Sequence, residues 1–228
     1  RHLHLRFRRQ RQMCIRDSDK ILVDYDGTID KSSMGANATL AISLAAAHVS
    51  AKNKNINLYE HFSRIYSDIT GKRNKYSLPM PMLNILNGGE HADNNVDIQE
   101  FMIVPSGAKD FVQVMKWSME IYHNLKKILS SKNYSTAVGD EGGFAPNLKS
   151  NEEAIELIIS SIETTKLKPG EDVNIALDCA ATEFFDGNNY VLDGDNQKYT
   201  SEEFTEYLNS LIAKYPIISI EDAMDEND

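Results

Sequence analysis

From Leu78 onward, short apolar runs alternate with amphipathic helical stretches, and this alternation constrains the fold more than any other feature of the sequence. Residues 80–86 and 101–104 read as strands. Over residues 110–131, Phe111, Met115, Met119, Tyr122, Leu125 and Leu129 recur at three- and four-residue spacing, the pattern of an amphipathic helix. Ser150 and Glu153 form a capping box ahead of Ala154, Ile155, Ile158, Ile159 and Ile162. Residues 173–177 predict a buried strand ending at Asp178, and residues 184–192 a hairpin with its turn at the centre. Thr200 and Glu203 cap a further helix, and residues 217–220 form a strand that ends at Glu221 and Asp222. Strands alternating with helices predict parallel β/α units. A β/α barrel keeps its catalytic groups at the C-terminal ends of its strands, where several of these carboxylates fall; it needs eight strands, and about four are visible here.

The first third has a different character. Ile21-Leu22-Val23 runs into the turn signal Asp24-Tyr25-Asp26-Gly27-Thr28. Residues 35–51, rich in Ala and Leu, read as a buried helix, and residues 57–69 as a second one. The polar stretch 71–75 is the best boundary, which divides the chain into a basic leader (1–19), a small domain (20–77) and a larger one (78–228). Residues 1–16 hold six arginines and no acid, so the remaining body carries 24 − 6 = 18 basic against 34 acidic residues, a charge of −16. Such a body repels nucleic acid and anionic membranes, and an anionic substrate would need local positive charge such as a bound metal. The head reads as a leader foreign to the rest of the chain, with a nucleic-acid arm or a targeting peptide as alternatives. No apolar run reaches the ~18 residues of a membrane span. Cys14 and Cys179 lie far apart and predict free thiols of a reducing compartment.

The stretch 84–101 carries the most chemistry. An apolar run ends in Asn87-Gly88-Gly89, a polar loop holding His91 comes next, and the second strand opens with Gln99-Glu100. Packing gives no reason for so many polar groups between two buried elements, whereas a site that grips an anion and moves protons does. His91, in a loop and not on an apolar face, suits substrate contact or proton transfer. Gln99 and Glu100 could orient an anion and a leaving group, or form a polar strand edge. Gly139-Asp140-Glu141-Gly142-Gly143 sets two carboxylates in a glycine-rich turn, where a carboxyl shielded from water can have a raised pKa and donate a proton; the alternative is an acidic surface loop. Asp178 and Glu221, each after a buried strand, suit a hard cation such as magnesium, or are a helix cap and a solvated strand end.

Taken together, Asn87-Gly88-Gly89-Glu90-His91-Ala92-Asp93-Asn94-Asn95, Gln99-Glu100-Phe101-Met102, Gly139-Asp140-Glu141-Gly142-Gly143-Phe144-Ala145-Pro146-Asn147, Ala176-Leu177-Asp178 and Ser219-Ile220-Glu221-Asp222 resemble the enolase family, of the bacterial type. Asp26-Gly27-Thr28 with Lys31, then Gly35-Ala36-Asn37-Ala38, resembles its N-terminal domain. The resemblance runs from about Lys20 to the last residue. It implies an α/β protein: a partial N-terminal α+β domain followed by the first half of an enolase-type β/α barrel. It implies a glycolytic, cytoplasmic lyase, found in some cases at the cell surface, that reversibly dehydrates 2-phosphoglycerate to phosphoenolpyruvate with Mg2+ and assembles as a homo-oligomer. By this resemblance Glu141 is the acid that protonates the departing hydroxyl and Glu100 its assistant. His91, on a closing loop, and Gln99 contact substrate, and Asp178 and Glu221 are two of three magnesium ligands. The third ligand, the lysine base and an Arg/Ser/Lys grip on the substrate would fall beyond Asp228, and a metal-binding serine loop before Asp26. The expectation is therefore an inactive fragment. The other readings are a non-catalytic interaction module or another enzyme of the enolase superfamily.

Overall fold

The structure is a computed structural model and describes residues 15–73 and 75–228. The leader expected over residues 1–19 lies outside the described residues as far as residue 14, and Cys14 with it. The chain divides into two compact units, Arg1–Ser77 and Leu78–Asp228.

The described residues of the first unit form α1 (Ile15–Asp26), α2 (Ala36–Asn53) and α3 (Leu58–Thr70). The run Ile21-Leu22-Val23 belongs to α1, and the turn signal acts one residue past it, at Gly27 with φ 72°. The Asp26 carboxylate accepts the Met34 amide at 2.7 Å, the Thr28 amide at 3.0 Å and the Thr28 hydroxyl, and these bonds lower its pKa, the hydroxyl most. The helix expected to be buried, α2, buries only Ala47 and Ala51 and exposes Leu40, Ile42, Leu44 and Val49. Its apolar residues are spread around the axis without a single stripe, so packing against one side leaves the others uncovered. The start of α3 is set by Asn57, whose amide donates to Glu60 at 2.7 Å, and its end by Gly71 in the left-handed conformation.

In the second unit, four strands form one sheet in the order β1 (Leu83–Asn87), β2 (Glu100–Val104), β3 (Asn174–Asp178) and β6 (Ile217–Glu221). Between them come α4 (Phe111–Ser131), α5 (Asn151–Thr164), the small hairpin β4 (Tyr190–Leu192) with β5 (Gln197–Tyr199), and α6 (Ser201–Lys214). The expected parallel arrangement holds only for β3 and β6; β1–β2 and β2–β3 are antiparallel. The reason is in the connections. A loop without a crossover helix joins β1 to β2, and two helices in succession join β2 to β3, which returns the chain in the opposite sense. Among the described residues no closed barrel is formed.

The two faces of the sheet differ. Phe101, Ile103, Ile175 and Leu177 point to one side and are fully buried in the main core with Ile121, Leu125 and Leu129 of α4 and Ile155, Ile158 and Ile162 of α5. The other side carries a small cluster of Met102, Val104 and Ala176, and at its end Glu100 and Asp178. The hairpin lies further along than expected: Tyr190 pairs with Tyr199 through a turn at Asp193–Asn196, while the turn after Phe185 closes only one bridge, Phe185 to Tyr190. Of the two expected capping boxes, that of Thr200 and Glu203 is complete. At α5, Ser150 accepts from the Glu153 amide, but the Glu153 carboxylate accepts from Lys149 and Tyr134.

Thr200→Ala removes the side-chain half of the completed box, the hydroxyl that accepts the Glu203 amide, and leaves the backbone amide that donates to the Glu203 carboxylate. It is expected to lower the urea-unfolding free energy of the chain by about 1 kcal/mol with unchanged far-ultraviolet circular dichroism. A loss within a few tenths of a kcal/mol would show that α6 does not depend on this cap.

Candidate active site

The register of the sheet builds the site. Asn87 pairs with Glu100, Glu100 with Asp178, and Asp178 with Glu221, so four polar side chains form a row across four strands at one end of the sheet. Cross-strand partners project to the same face. A bulge between Asn84 and Leu86 brings Asn84 to that face as well, opposite Met102.

Two loops close over the row. After β1 the chain makes one 3-10 turn, Gly89–His91, entered through Gly89 at φ 49°. A side chain at Gly88 would collide with the carbonyls of Val96 and Ile98, so the loop closes on itself only with glycine there. The loop asparagines act as scaffolding: Asn94 donates to the Asn87 carbonyl at 2.9 Å and Asn95 to that of Leu148 at 2.6 Å. Asn151, buried at the start of α5, accepts from the amides of Asp97 and Ile98, both at 3.0 Å. Gln99 joins the loop to the sheet, its amide donating to the Asp178 carbonyl at 3.1 Å.

The second loop is the glycine-rich turn. Its Asp140 amide donates to the His91 carbonyl at 3.1 Å, which locks the two loops together. The Phe144 amide donates to Ile85 and its carbonyl accepts from Asn87, so the turn returns along β1. The side chain of Asn87 is fully buried under Gly139 and Gly143, with both amide atoms lacking a hydrogen-bond partner among the described residues. A Cβ at Gly143 would run into the Asn87 side-chain oxygen.

These loops bring three of the expected residues together. His91 Nε2 lies 3.7 Å from Glu100 Oε1 and 3.8 Å from Glu141 Oε1, and ligand-type atoms of all three fall within 4.8 Å of one another. Asn84, not singled out from the sequence, donates to Glu141 Oε2 at 3.2 Å. The two carboxylates are driven apart. Glu100, with 15% of its side chain exposed, is pushed up to about 7 by burial and then by Glu141, Asp178 and Glu221. Glu141, with 43% exposed, is held below its ordinary value by hydrogen bonding with Glu100 and Asn84 and by His91. The sequence placed the raised carboxyl in the glycine-rich turn, whereas the structure places it on the strand. The turn is open to water and offers donors, and the strand end is crowded with acids.

Asp178 and Glu221 end their strands side by side. Asp178 is half-buried, its carboxylate accepts the Ala180 amide at 3.0 Å, and burial raises its pKa, with Asp222 adding to the effect. Glu221 is exposed. The chain leaves both strands through left-handed residues that are not glycine, Ala180 and Asp222, each at φ 44°. Asp222 accepts the Ala181 amide and Glu221 the Cys179 amide through their carbonyls, which ties the two strand ends into one rim. The rim offers carboxylates of the kind a hard cation takes, while the ligand-type atoms that come together among the described residues are those of His91, Glu100 and Glu141. Burial, with neighbouring acids adding to it, raises both Asp178 and Glu100.

Two protein-family models match the chain. That described as "Enolase, C-terminal TIM barrel domain" matches residues 75–228, which include every site residue named above, and that described as "Enolase, N-terminal domain" matches residues 5–62.

The Glu100 shift gives stability a pH dependence. With chelator present, Glu100 keeps its proton in the folded chain between its ordinary value of 4.5 and about 7, where the unfolded chain ionises. The folded state then binds more protons, so this stabilisation is complete below the lower value and is lost as pH rises through the upper one. Asp178 contributes with the same sign. Glu100→Gln is expected to flatten the fall in urea midpoint between about pH 5 and about pH 7.5. Equal slopes for the two proteins would contradict the Glu100 assignment.

Proposed function

The chain belongs to the enolase family, and we propose that it carries the acid side of a lyase site that reversibly dehydrates 2-phosphoglycerate to phosphoenolpyruvate. The observation that carries this reading is the His91–Glu100–Glu141 cluster set against the Asp178–Glu221 rim. Elimination of a hydroxyl requires a proton at the departing oxygen. Glu100 and Glu141 together offer one: Glu100 retains its proton near neutrality while Glu141, facing the open side, is ionised. In this proposal the one proton of the pair rests on Glu100, passes to the Glu141 carboxylate and from there to the departing oxygen, leaving both carboxylates ionised, so that the pair behaves as one coupled unit. His91 lies within reach of both and serves as a contact for the substrate on the loop side, and Gln99, whose carbonyl accepts the Gly88 amide at the loop base, is the second proposed substrate contact.

Asp178 and Glu221 would hold magnesium. When bound there, the ion neutralises a substrate carboxylate and stabilises negative charge developing at the adjacent carbon. The enolase-superfamily use of a Lys or His base with magnesium is a standard pattern of such sites. Among the described residues, no lysine forms an ion pair or hydrogen bond with Glu100, Glu141, Asp178 or Glu221. The proposal therefore includes that the 228-residue chain binds the acid end of the substrate without turning it over. Matches to both enolase models support this over another member of the superfamily.

A second reading, an interaction module, is favoured by one observation. β6 is last in the sheet, and Ile218 on it is 57% exposed beside a groove of about 410 Å³ lined by Leu208, Ile212, Ile220 and Met224.

Addition of 2-phosphoglycerate with magnesium is expected to shift the NMR resonances of His91, Glu100 and Glu141, with less than about a tenth of that response when Asp178→Ala and Glu221→Ala are combined. No phosphoenolpyruvate should appear. A silent spectrum would overturn the lyase site, and steady phosphoenolpyruvate formation would overturn the claim that the chain alone is inactive.

A further inference from the structure

We propose that Tyr122, on α4, is a positioning residue for Glu141: it clamps the tip of the glycine-rich turn and so fixes where that carboxylate sits. The inference rests on the lyase reading of the site given above.

The geometry is specific. The Tyr122 hydroxyl donates to the Gly142 carbonyl at 2.8 Å, one residue beyond Glu141. Its ring stacks on Phe144, with centroids 4.4 Å apart and planes at 18°. The turn has other anchors, but among the described residues the only other side-chain bond at its tip is that from Asn84 to the Glu141 carboxylate itself. Its start is fixed through the Asp140 amide on His91, and its end through Phe144 on Ile85 and Asn87. Within the turn, Gly139 bonds Gly143 at 2.8 Å and Gly142 bonds Gly139 at 3.1 Å. Between these fixed ends Gly142 takes φ 85°, and a Cβ there would meet nothing within 4 Å, so packing does not hold the tip. Among the described residues, Tyr122 is the one side chain that hydrogen-bonds the backbone of residues 140–143.

The support behind the clamp is rigid. Ile121 and Leu125, flanking Tyr122 on α4, are fully buried against the sheet. Tyr122 therefore refers the Glu141 turn to the same core that sets the register of β2 and β3. The consequence falls on the carboxylate. Its bond from Asn84 is already 3.2 Å long and its approach to His91 is 3.8 Å. A displacement of about an ångström at the turn would take both beyond hydrogen-bonding and ion-pair range.

The test uses the 228-residue chain without ligand and compares Tyr122→Phe, which keeps the stacked ring, with Tyr134→Phe. The Tyr134 hydroxyl makes a similar bond, 2.8 Å to Glu153, away from the turn. Two readouts are followed: amide hydrogen exchange along residues 111–144, and the pH midpoint of the Glu141 side-chain carboxyl by carbon NMR. Tyr122→Phe is expected to speed exchange at Gly142 by about fivefold with α4 unchanged, and to move the Glu141 midpoint upward toward its ordinary value. Tyr134→Phe should do neither. If Tyr122→Phe leaves both readouts unchanged, or speeds exchange throughout α4 equally, the positioning role is overturned. Because no substrate is present, these results do not depend on the 2-phosphoglycerate response that tests the lyase reading. Either can fail while the other stands.

Discussion

Register is the constraint on which the rest of the structure depends. Asn87, Glu100, Asp178 and Glu221 come from four strands and meet in one row only because each strand is paired at one particular offset. A slip of a single residue would turn Glu100 into the core and bring Phe101 out of it, and likewise exchange Asp178 with Leu177. The fully buried pairs Phe101–Leu177 and Ile103–Ile175 oppose that slip, since moving them to water would forfeit roughly 1.5–3 kcal/mol for each side chain. The apolar face under the helices thus determines the position of the carboxylates on the opposite face, although the two sets of side chains never touch. The bulge in β1 performs the same service locally: without the extra residue, Asn84 could not share a face with Asn87.

Concentrating acids at one end of a sheet has an electrostatic cost, and the arrangement shows how it is managed. Glu100 has three acidic neighbours and limited contact with water, so it retains its proton. Glu141 reaches the same cluster from a loop open to solvent, where hydrogen bonding with Glu100, then Asn84 and His91, favours its charged form. Two carboxyls of equal intrinsic acidity thereby become distinct, one a reservoir and the other an exposed acceptor, through burial and neighbours alone. Glu221 at the exposed edge and Asp178 at half-burial present oxygens to a cation whose charge would lower the cost for all four acids. The left-handed backbone at Ala180 and Asp222 occurs where the chain must leave the rim abruptly, and strain of this kind tends to persist where a site over-determines the backbone.

Legibility in the sequence followed the range of the interactions. Helices α3, α4, α5 and α6 were visible because periodicity and caps are local, although at Ser150 the box was half right: Glu153 found Lys149 and Tyr134 as partners, and Tyr134 is distant in sequence. Strand positions were visible as apolar runs, but their directions were not. Antiparallel pairing of β1 with β2 was implicit in the missing helix between them, and the rule that alternation means parallel strands overrode that sign. Among the candidate residues, His91, Glu100, Glu141, Asp178 and Glu221 stood out by their motifs, and the structure brings the first three together. Asn84 and Tyr122 could not: one sits inside an apolar run and reaches the site through a bulge, and the other occupies a helical position that the hydrophobic pattern had already explained. The raised carboxyl was expected in the glycine-rich turn and lies at a strand end, because a glycine-rich sequence reports backbone freedom and says nothing of how many acids a neighbouring strand will bring.

Strands and loops divide the labour of the site. The strand-borne groups, Glu100, Asp178 and Glu221, are positioned by a core that closes without them, so their placement is as secure as the sheet itself. The loop-borne groups, His91 and Glu141, hold their places through a few directional bonds: Asp140 to His91, Asn94 and Asn95 across the first loop, Tyr122 on the second. Each such bond is worth only about 1 kcal/mol net. A handful of them can keep two loops ordered, and a competing ligand can still reorganise them at modest cost. A site that must hold a cation firmly and open for a substrate needs both kinds of support. In this chain the carboxylates proposed for a cation, Asp178 and Glu221, are on the sheet, and His91 and Glu141, proposed to meet the reacting end of a substrate, are on the loops, with Glu100 reaching them from β2.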